Sequence, residues 1–200
     1  MNTEKITALH PGERFTFKGF DWICLDPHHP DGGVLIIMAE PWRNNLKFCP
    51  DEQYADEKGN WNNYRTSLLR KEVLGLVKVI GADNLRPHEL DLVADNGDKA
   101  YNAYTVMDDV FVLSCDEYRK YREFIPHYNR WIWTVTPWYC GDKDSYTDIA
   151  YYVRGVGTEG PLYNSYGDAY DSGAVAPACI LNPKSLNLRK DMAYVEEASE

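Results

Sequence analysis

The spacing of apolar segments constrains this chain most: short strand-like runs come first, then one long helical stripe, then further runs set apart by polar stretches. Arg14 to Phe17 and Phe20 to Leu25 alternate aromatic or β-branched residues with polar ones across Lys18-Gly19, which predicts a hairpin. Val34 to Met38 is a continuous apolar run after the turn signal Asp31-Gly32-Gly33, as in a strand buried on both faces. Pro27, Pro30 and the His28-His29 pair fall in the loop expected between them. From Asn63 to Ile80, Leu69, Val73, Leu76, Val77 and Ile80 recur at steps of three and four, predicting an amphipathic helix of about four to five turns, with Gly75 as its weak point. A shorter helical segment is expected near Pro87 to Val93, with Pro87 in its first turn, followed by a polar stretch that turns at Asn96-Gly97. Val110 to Leu113 reads as a buried strand, and Ser114-Cys115-Asp116-Glu117 as a capping box opening a helix to about Phe124. Trp131 to Thr136, Ile149 to Val156 and Ala174 to Leu181 complete the strands. This order is that of an α+β fold, not of alternating βαβ units.

The 200 residues (23.0 kDa) fit one domain, expected over residues 1–190, with 191–200 as a loosely held tail. With 31 acidic against 21 basic residues the net charge is −10, which argues against nucleic acid or anionic lipid as a partner. No apolar run reaches the ~20 residues a membrane span needs, and Met1 to Arg14 is polar, without a signal-peptide core. Synthesis in the cytoplasm without a signal peptide or membrane insertion is expected, and virion or cell-surface association stays compatible with it. Five cysteines (Cys24, Cys49, Cys115, Cys140, Cys179) without a CxxC spacing argue against both a disulfide framework and a structural zinc site, and predict buried free thiols.

Between Tyr139 and Ser172, about two thirds of 34 residues are Tyr, Asp, Gly, Ser, Asn or Thr, and seven of the fifteen tyrosines fall there. Tyrosine gives a large amphipathic contact area with only two torsions to freeze, and small polar residues adapt around it, so binding loops converge on this alphabet. The candidate ligand-binding residues are Trp138, Tyr139, Asp142, Asp144, Tyr146, Tyr163, Asn164, Tyr166, Asp168 and Tyr170. Asp142, Asp144 and Asp148 open like a calcium loop, but Thr147 stands where glycine is needed and Val153 where the closing glutamate is needed, so they read as solvated loop acids. The His28-His29 pair, beside Asp26 and Asp31, reads as exposed and not as a metal site. His127 with Cys140 or Cys115 lacks any surrounding nucleophile signature. The expectation is a binding protein with no catalytic residues, no metal and no cofactor, with calcium at Asp142, Asp144 and Asp148 as the alternative.

Several phrases together carry a resemblance: Trp22 in the first hairpin, Trp61-Asn-Asn-Tyr-Arg-Thr-Ser-Leu-Leu-Arg70, Asp109-Val-Phe-Val-Leu-Ser-Cys-Asp-Glu-Tyr118, Trp131-Ile-Trp-Thr-Val-Thr-Pro137, Ala150-Tyr-Tyr-Val-Arg-Gly155 and Gly173-Ala-Val-Ala-Pro-Ala-Cys-Ile-Leu181. In this order, over roughly residues 10 to 182, the chain resembles a bacterial and phage domain of unknown function with a C-type lectin-like fold. That domain is related to the variable proteins of diversity-generating retroelements and distantly to formylglycine-generating enzymes. The chain departs from the family at Trp133-Thr-Val-Thr136 and at Ala176, and lacks the paired reactive thiols of the enzymes. The resemblance implies small twisted antiparallel sheets, two main helices and long C-terminal loops that carry binding residues, here the Tyr139 to Ser172 stretch. It implies a phage, prophage or bacterial surface-recognition protein whose partner is a cell-surface protein or glycan. The alternative is a structural or decoration subunit of a virion or other assembly, with neighbouring subunits as partners.

Overall fold

Lys18 and Gly19 both take positive φ (53° and 80°), the left-handed pair that a two-residue hairpin turn requires. They set β1 (Arg14–Phe17) against β2 (Phe20–His29) in the expected hairpin. In the computed structural model, which describes residues 9–99, 104–140 and 152–185 with only the backbone of 163–166, β2 runs four residues past the expected end at Leu25. Register shifts between Cys24 and Asp26 and between Asp26 and His29 absorb Pro27, which has no N–H to give to a ladder. The His28-His29 pair therefore lies on a strand, with His28 outward and His29 buried, contrary to the loop reading.

β3 (Gly33–Met38) is buried at all six positions and pairs with β2 on one side and β13 (Ala178–Leu181) on the other. β13, also wholly buried, then meets both β5 (Leu85–Arg86) and β8 (Val110–Phe111), giving a first sheet ordered β1-β2-β3-β13-β5 with β8 alongside β13. A second sheet runs β11 (Leu162–Asp168), β10 (Tyr152–Val156), β9 (Ile132–Pro137), β12 (Ser172–Val175) and β4 (Arg43–Lys47). The stretch expected as one strand, Ala174 to Leu181, is two strands in different sheets, broken at Ala176-Pro177. Proline cannot donate to the β12 ladder, but its carbonyl accepts from Met38 N (2.9 Å), and the chain crosses to the first sheet there. One hydrophobic cluster, including Trp22, Leu35, Phe111, Trp133 and Ile180, joins both sheets. The architecture is α+β with small, mainly antiparallel sheets.

Two helical expectations change. The stripe from Asn63 to Ile80 becomes α1 (Leu68–Leu74) and α2 (Val77–Ile80), separated at Gly75-Leu76. Upstream of Leu68, Asn60 and Asn63 donate to Asp56, and Asn63 Oδ1 accepts from Arg65 N (3.1 Å), holding that stretch in turns; Ser67 then caps α1 through Arg70 N (3.1 Å). Pro87 to Val93 is not helical: His88–Asp91 forms β6 against β7 (Thr105–Asp108), with only Leu90 of its four residues buried. Periodicity over four residues is too short to separate the two states once a partner strand is present. α3 (Cys115–Tyr121) carries the expected capping box.

Gly33 marks the tightest approach between β3 and β13: a Cβ there would lie 2.4 Å from Ile180 Cγ2 and 2.5 Å from the Leu181 carbonyl oxygen. Since backbone cannot swing aside as a side chain can, Gly33→Ala is expected to cost about 1–3 kcal/mol of stability, read as a lower urea midpoint with an unchanged m-value.

Candidate functional site

The Tyr-rich segment is not one long loop. β10 and β11 pair antiparallel within it, and β11 is the edge strand of its sheet among the described residues. Tyr163, Asn164, Tyr166 and Asp168 all lie on β11, though the side chains of the first three fall outside the described residues. Asp142, Asp144, Tyr146 and Asp148 fall outside them entirely, as does the tail at 191–200.

One face of this sheet is closed by tryptophan. A Cβ on Gly167 of β11 would lie 2.9 Å from the Trp131 ring, and one on Gly173 of β12 would lie 2.6 Å from it and 2.7 Å from Trp133 Nε1. The two indoles meet edge to face with centroids 4.5 Å apart, and only glycine leaves room for them. Register then assigns Gly167 and Val153 to one side, and Asp168, Tyr152 and Arg154 to the other.

On that second side Arg154 is buried, its guanidinium 4.8 Å from the Trp138 ring centroid and its Nε 3.3 Å from Asp95 Oδ2. Asp95 Oδ1 also meets Arg119 Nη2 (3.0 Å), whose Nη1 reaches Asp116 (2.6 Å), so an ion chain ties β10 to α3. Trp138 is thus a half-buried shelf under a buried cation. The fully buried Asn62 donates to the carbonyls of Tyr139 (2.8 Å) and Tyr152 (3.1 Å), tying these two backbone positions together. Tyr170, 45 % exposed, stands edge-on to Trp61 at 6.4 Å. Its hydrogen bond to the Asp168 carboxylate pushes the phenol up to about 12. The structure therefore brings Trp138, Tyr139, Asp168 and Tyr170 along one strip beside Tyr152 and Trp61.

A second constellation lies at the far end of the first sheet, where the histidine pair was read as exposed. His29 and His88 meet edge to face at 5.3 Å. His88 Nδ1 lies 2.6 Å from Asp31 Oδ2 and its Nε2 2.7 Å from Glu117 Oε1, while His29 Nδ1 sits 3.5 Å from the same Asp31 oxygen. Glu117 performs two tasks: Oε2 accepts from Ser114 N and Oγ (2.8 Å each) to cap α3, and Oε1 holds His88. Burial pulls the His88 pKa down, but the bonds and charges of Glu117 and Asp31 outweigh it and raise the value above 6.5. Burial raises Glu117, but its bond to His88 and the Ser114 cap outweigh that and lower it below 4.5. Burial, with no comparable clamp, lowers His29. The Asp31 turn signal and the capping box were visible in sequence. His88 was not, because its partners lie 57 and 29 residues away.

The thiols are buried and none is in a disulfide, as expected. Burial pushes Cys24 and Cys49 up to about 12 and raises Cys115 and Cys179 as well. Cys115 Sγ contacts Thr134 Oγ1 (3.7 Å), not an imidazole, and His127 is exposed beside Gly160. Because thiolate is the reactive form, the native protein is expected to react slowly with a disulfide reagent at pH 8 and to release five equivalents only on unfolding. Asn62→Ala removes the Tyr139 and Tyr152 carbonyl contacts and is expected to cost about 1–3 kcal/mol, measured by thermal or urea denaturation.

Compared with known proteins, the chain matches no family model, no curated protein and no solved structure at a significant level.

Proposed function

We propose that this chain is a non-catalytic binding domain on a C-type lectin-like scaffold, which grips a cell-surface protein or glycan at the β10–β11 edge. The observation that carries this reading is the strip itself. Tyr170 is exposed and Trp138, Tyr139, Tyr152 and Asp168 are half-buried in one neighbourhood at what is, among the described residues, the edge of a sheet whose other face is sealed by Trp131 and Trp133. Aromatic faces stack on sugar rings or insert into protein epitopes, and the Asp168 carboxylate and phenol hydroxyls supply directional hydrogen bonds. A scaffold frozen by glycine-tryptophan packing presents these groups without paying the ordering entropy of a mobile loop. The net charge of −10 favours a neutral or basic target through long-range repulsion of anionic ones. The C-type lectin-like reading is supported by the N-terminal hairpin sharing a sheet with the last described strand, while the C-terminal half builds a second sheet with the Tyr-rich strand at its rim. A phage, prophage or bacterial surface-recognition context follows from that resemblance.

The seven-residue edge strand β11 also favours a second reading, because unpaired backbone at an edge can extend into a neighbouring copy. The chain would then be a subunit of a virion or other assembly. Light scattering at micromolar concentration distinguishes the two: a monomer excludes the assembly reading, and a concentration-dependent oligomer supports it.

The binding reading is tested on an array of glycans and cell-surface proteins with the parent and the Tyr139→Ala/Tyr170→Ala variant. Expected is a specific ligand whose affinity falls at least tenfold in the variant while circular dichroism and melting stay close to the parent. Unchanged affinity in the folded variant overturns this site.

A further inference from the structure

We propose that His29, Asp31 and His88 form a binding site for a divalent metal ion of the zinc type, with Glu117 orienting His88 from behind. This site is independent of the β10–β11 edge, and neither its success nor its failure bears on ligand binding there.

The geometry supplies the donors. His29, Asp31 and His88 each offer one ligand atom, an imidazole nitrogen or a carboxylate oxygen, and these three atoms lie within 4.8 Å of one another. Imidazole nitrogen and carboxylate oxygen are the ligands that zinc-like ions take at about 2.0–2.2 Å, and a tetrahedral centre sets such donors roughly 3.3–3.5 Å apart. The His29 Nδ1 to Asp31 Oδ2 distance is already 3.5 Å. The His88 Nδ1 to Asp31 Oδ2 distance of 2.6 Å must open by somewhat under an ångström. Asp31 can make that move, because it is the exposed member, on a turn closed by Gly32 at φ 79°. The two histidines are held in place, with side chains only 8 % and 12 % exposed.

Tautomers point the same way. The Asp31 amide approaches His29 Nδ1 at 3.4 Å, so that nitrogen carries its lone pair toward Asp31, and the long bond is easily exchanged. Glu117 Oε1 accepts from His88 Nε2–H at 2.7 Å, leaving Nδ1 as the nitrogen that faces Asp31. A carboxylate behind a metal-binding imidazole is the arrangement that fixes the ring and raises its basicity. Between His88 Nδ1 and a carboxylate oxygen 2.6 Å away something positive must sit, and a proton on Nδ1 serves. A metal ion takes the place of that proton. His88 Nδ1–H breaks, the proton leaves to solvent, and the nitrogen lone pair bonds the ion without any redox change. With both imidazoles neutral, Asp31 and Glu117 carry two negative charges, which a dication balances. Three protein ligands leave a fourth position to water, as in an open zinc site.

The test uses the full chain, stripped with chelator and titrated with Zn²⁺ by calorimetry, with Co²⁺ as a spectroscopic substitute. Expected are one ion per chain, release of about one proton seen by comparing buffers of different ionisation enthalpy, a raised melting temperature, and Co²⁺ visible bands of nitrogen–oxygen ligation without thiolate charge transfer. His29→Gln and His88→Gln should each weaken binding at least tenfold, whereas Glu117→Gln should keep the site but weaken it by 10- to 100-fold. Should the histidine variants fail to fold, imidazole nitrogen shifts in the NMR spectrum of the parent protein decide, since only metal on Nδ1 of exactly two histidines fits. Absence of binding at millimolar Zn²⁺, thiolate bands with Co²⁺, or binding that survives in a folded His29→Gln/His88→Gln double variant overturns the proposal.

Discussion

The insertion of β13 between β3 on one side and β5 and β8 on the other is the constraint from which the rest of the structure follows. All four of its residues are buried, and Leu181 stands opposite Val34 in one strand and Leu85 in the other. A strand with partners on both sides and no exposed face fixes its neighbours in register, because a slip by one residue would reverse every side chain. That register sets the Asp31–Gly33 turn, just before Val34, beside His88, which follows Arg86 by two residues. The histidine–carboxylate cluster is therefore a product of strand order. Its two halves never meet along the chain.

The same strand anchors the second sheet. β12 and β13 are consecutive, and the break at Pro177 lets one run of apolar residues serve two sheets at once. Trp131 and Trp133 then fill the space over Gly167 and Gly173, and Trp133 Nε1 donates to the Leu46 carbonyl (2.8 Å), so the buried indole leaves no polar atom unsatisfied there. The rim strip inherits its rigidity from this packing, from the Arg154–Asp95–Arg119 ion chain and from Asn62. Rigid aromatic groups bind with less entropic penalty than mobile ones, which is why the sealed face matters to the open one.

Much of the local structure was legible in sequence. The hairpin at Lys18-Gly19, the buried run Val34 to Met38 and the capping box Ser114 to Glu117 are each encoded within ten residues or fewer, by turn chemistry, alternation or a reciprocal cap. Where local signals compete, the reading changed. Asparagine side chains at 60 and 63 captured backbone and carboxylate partners and delayed α1 to Leu68, and a partner strand converted His88–Asp91 from expected helix to β6. The Tyr-rich segment was recognised by composition, but composition carries no register and could not separate a loop from an edge strand.

The sequence by itself determined an α+β chain with buried thiols outside any disulfide, a strongly acidic net charge and a tyrosine-rich stretch late in the chain, because propensity, charge and residue alphabet are local or additive properties. Only the tertiary structure decided that Ala174 to Leu181 divides between two sheets, that Trp138 supports Arg154, and that His29, Asp31, His88 and Glu117 meet. Each of these depends on which strand lies beside which, and strand order is set by how apolar faces are jointly buried, a property of the whole chain that no single segment holds.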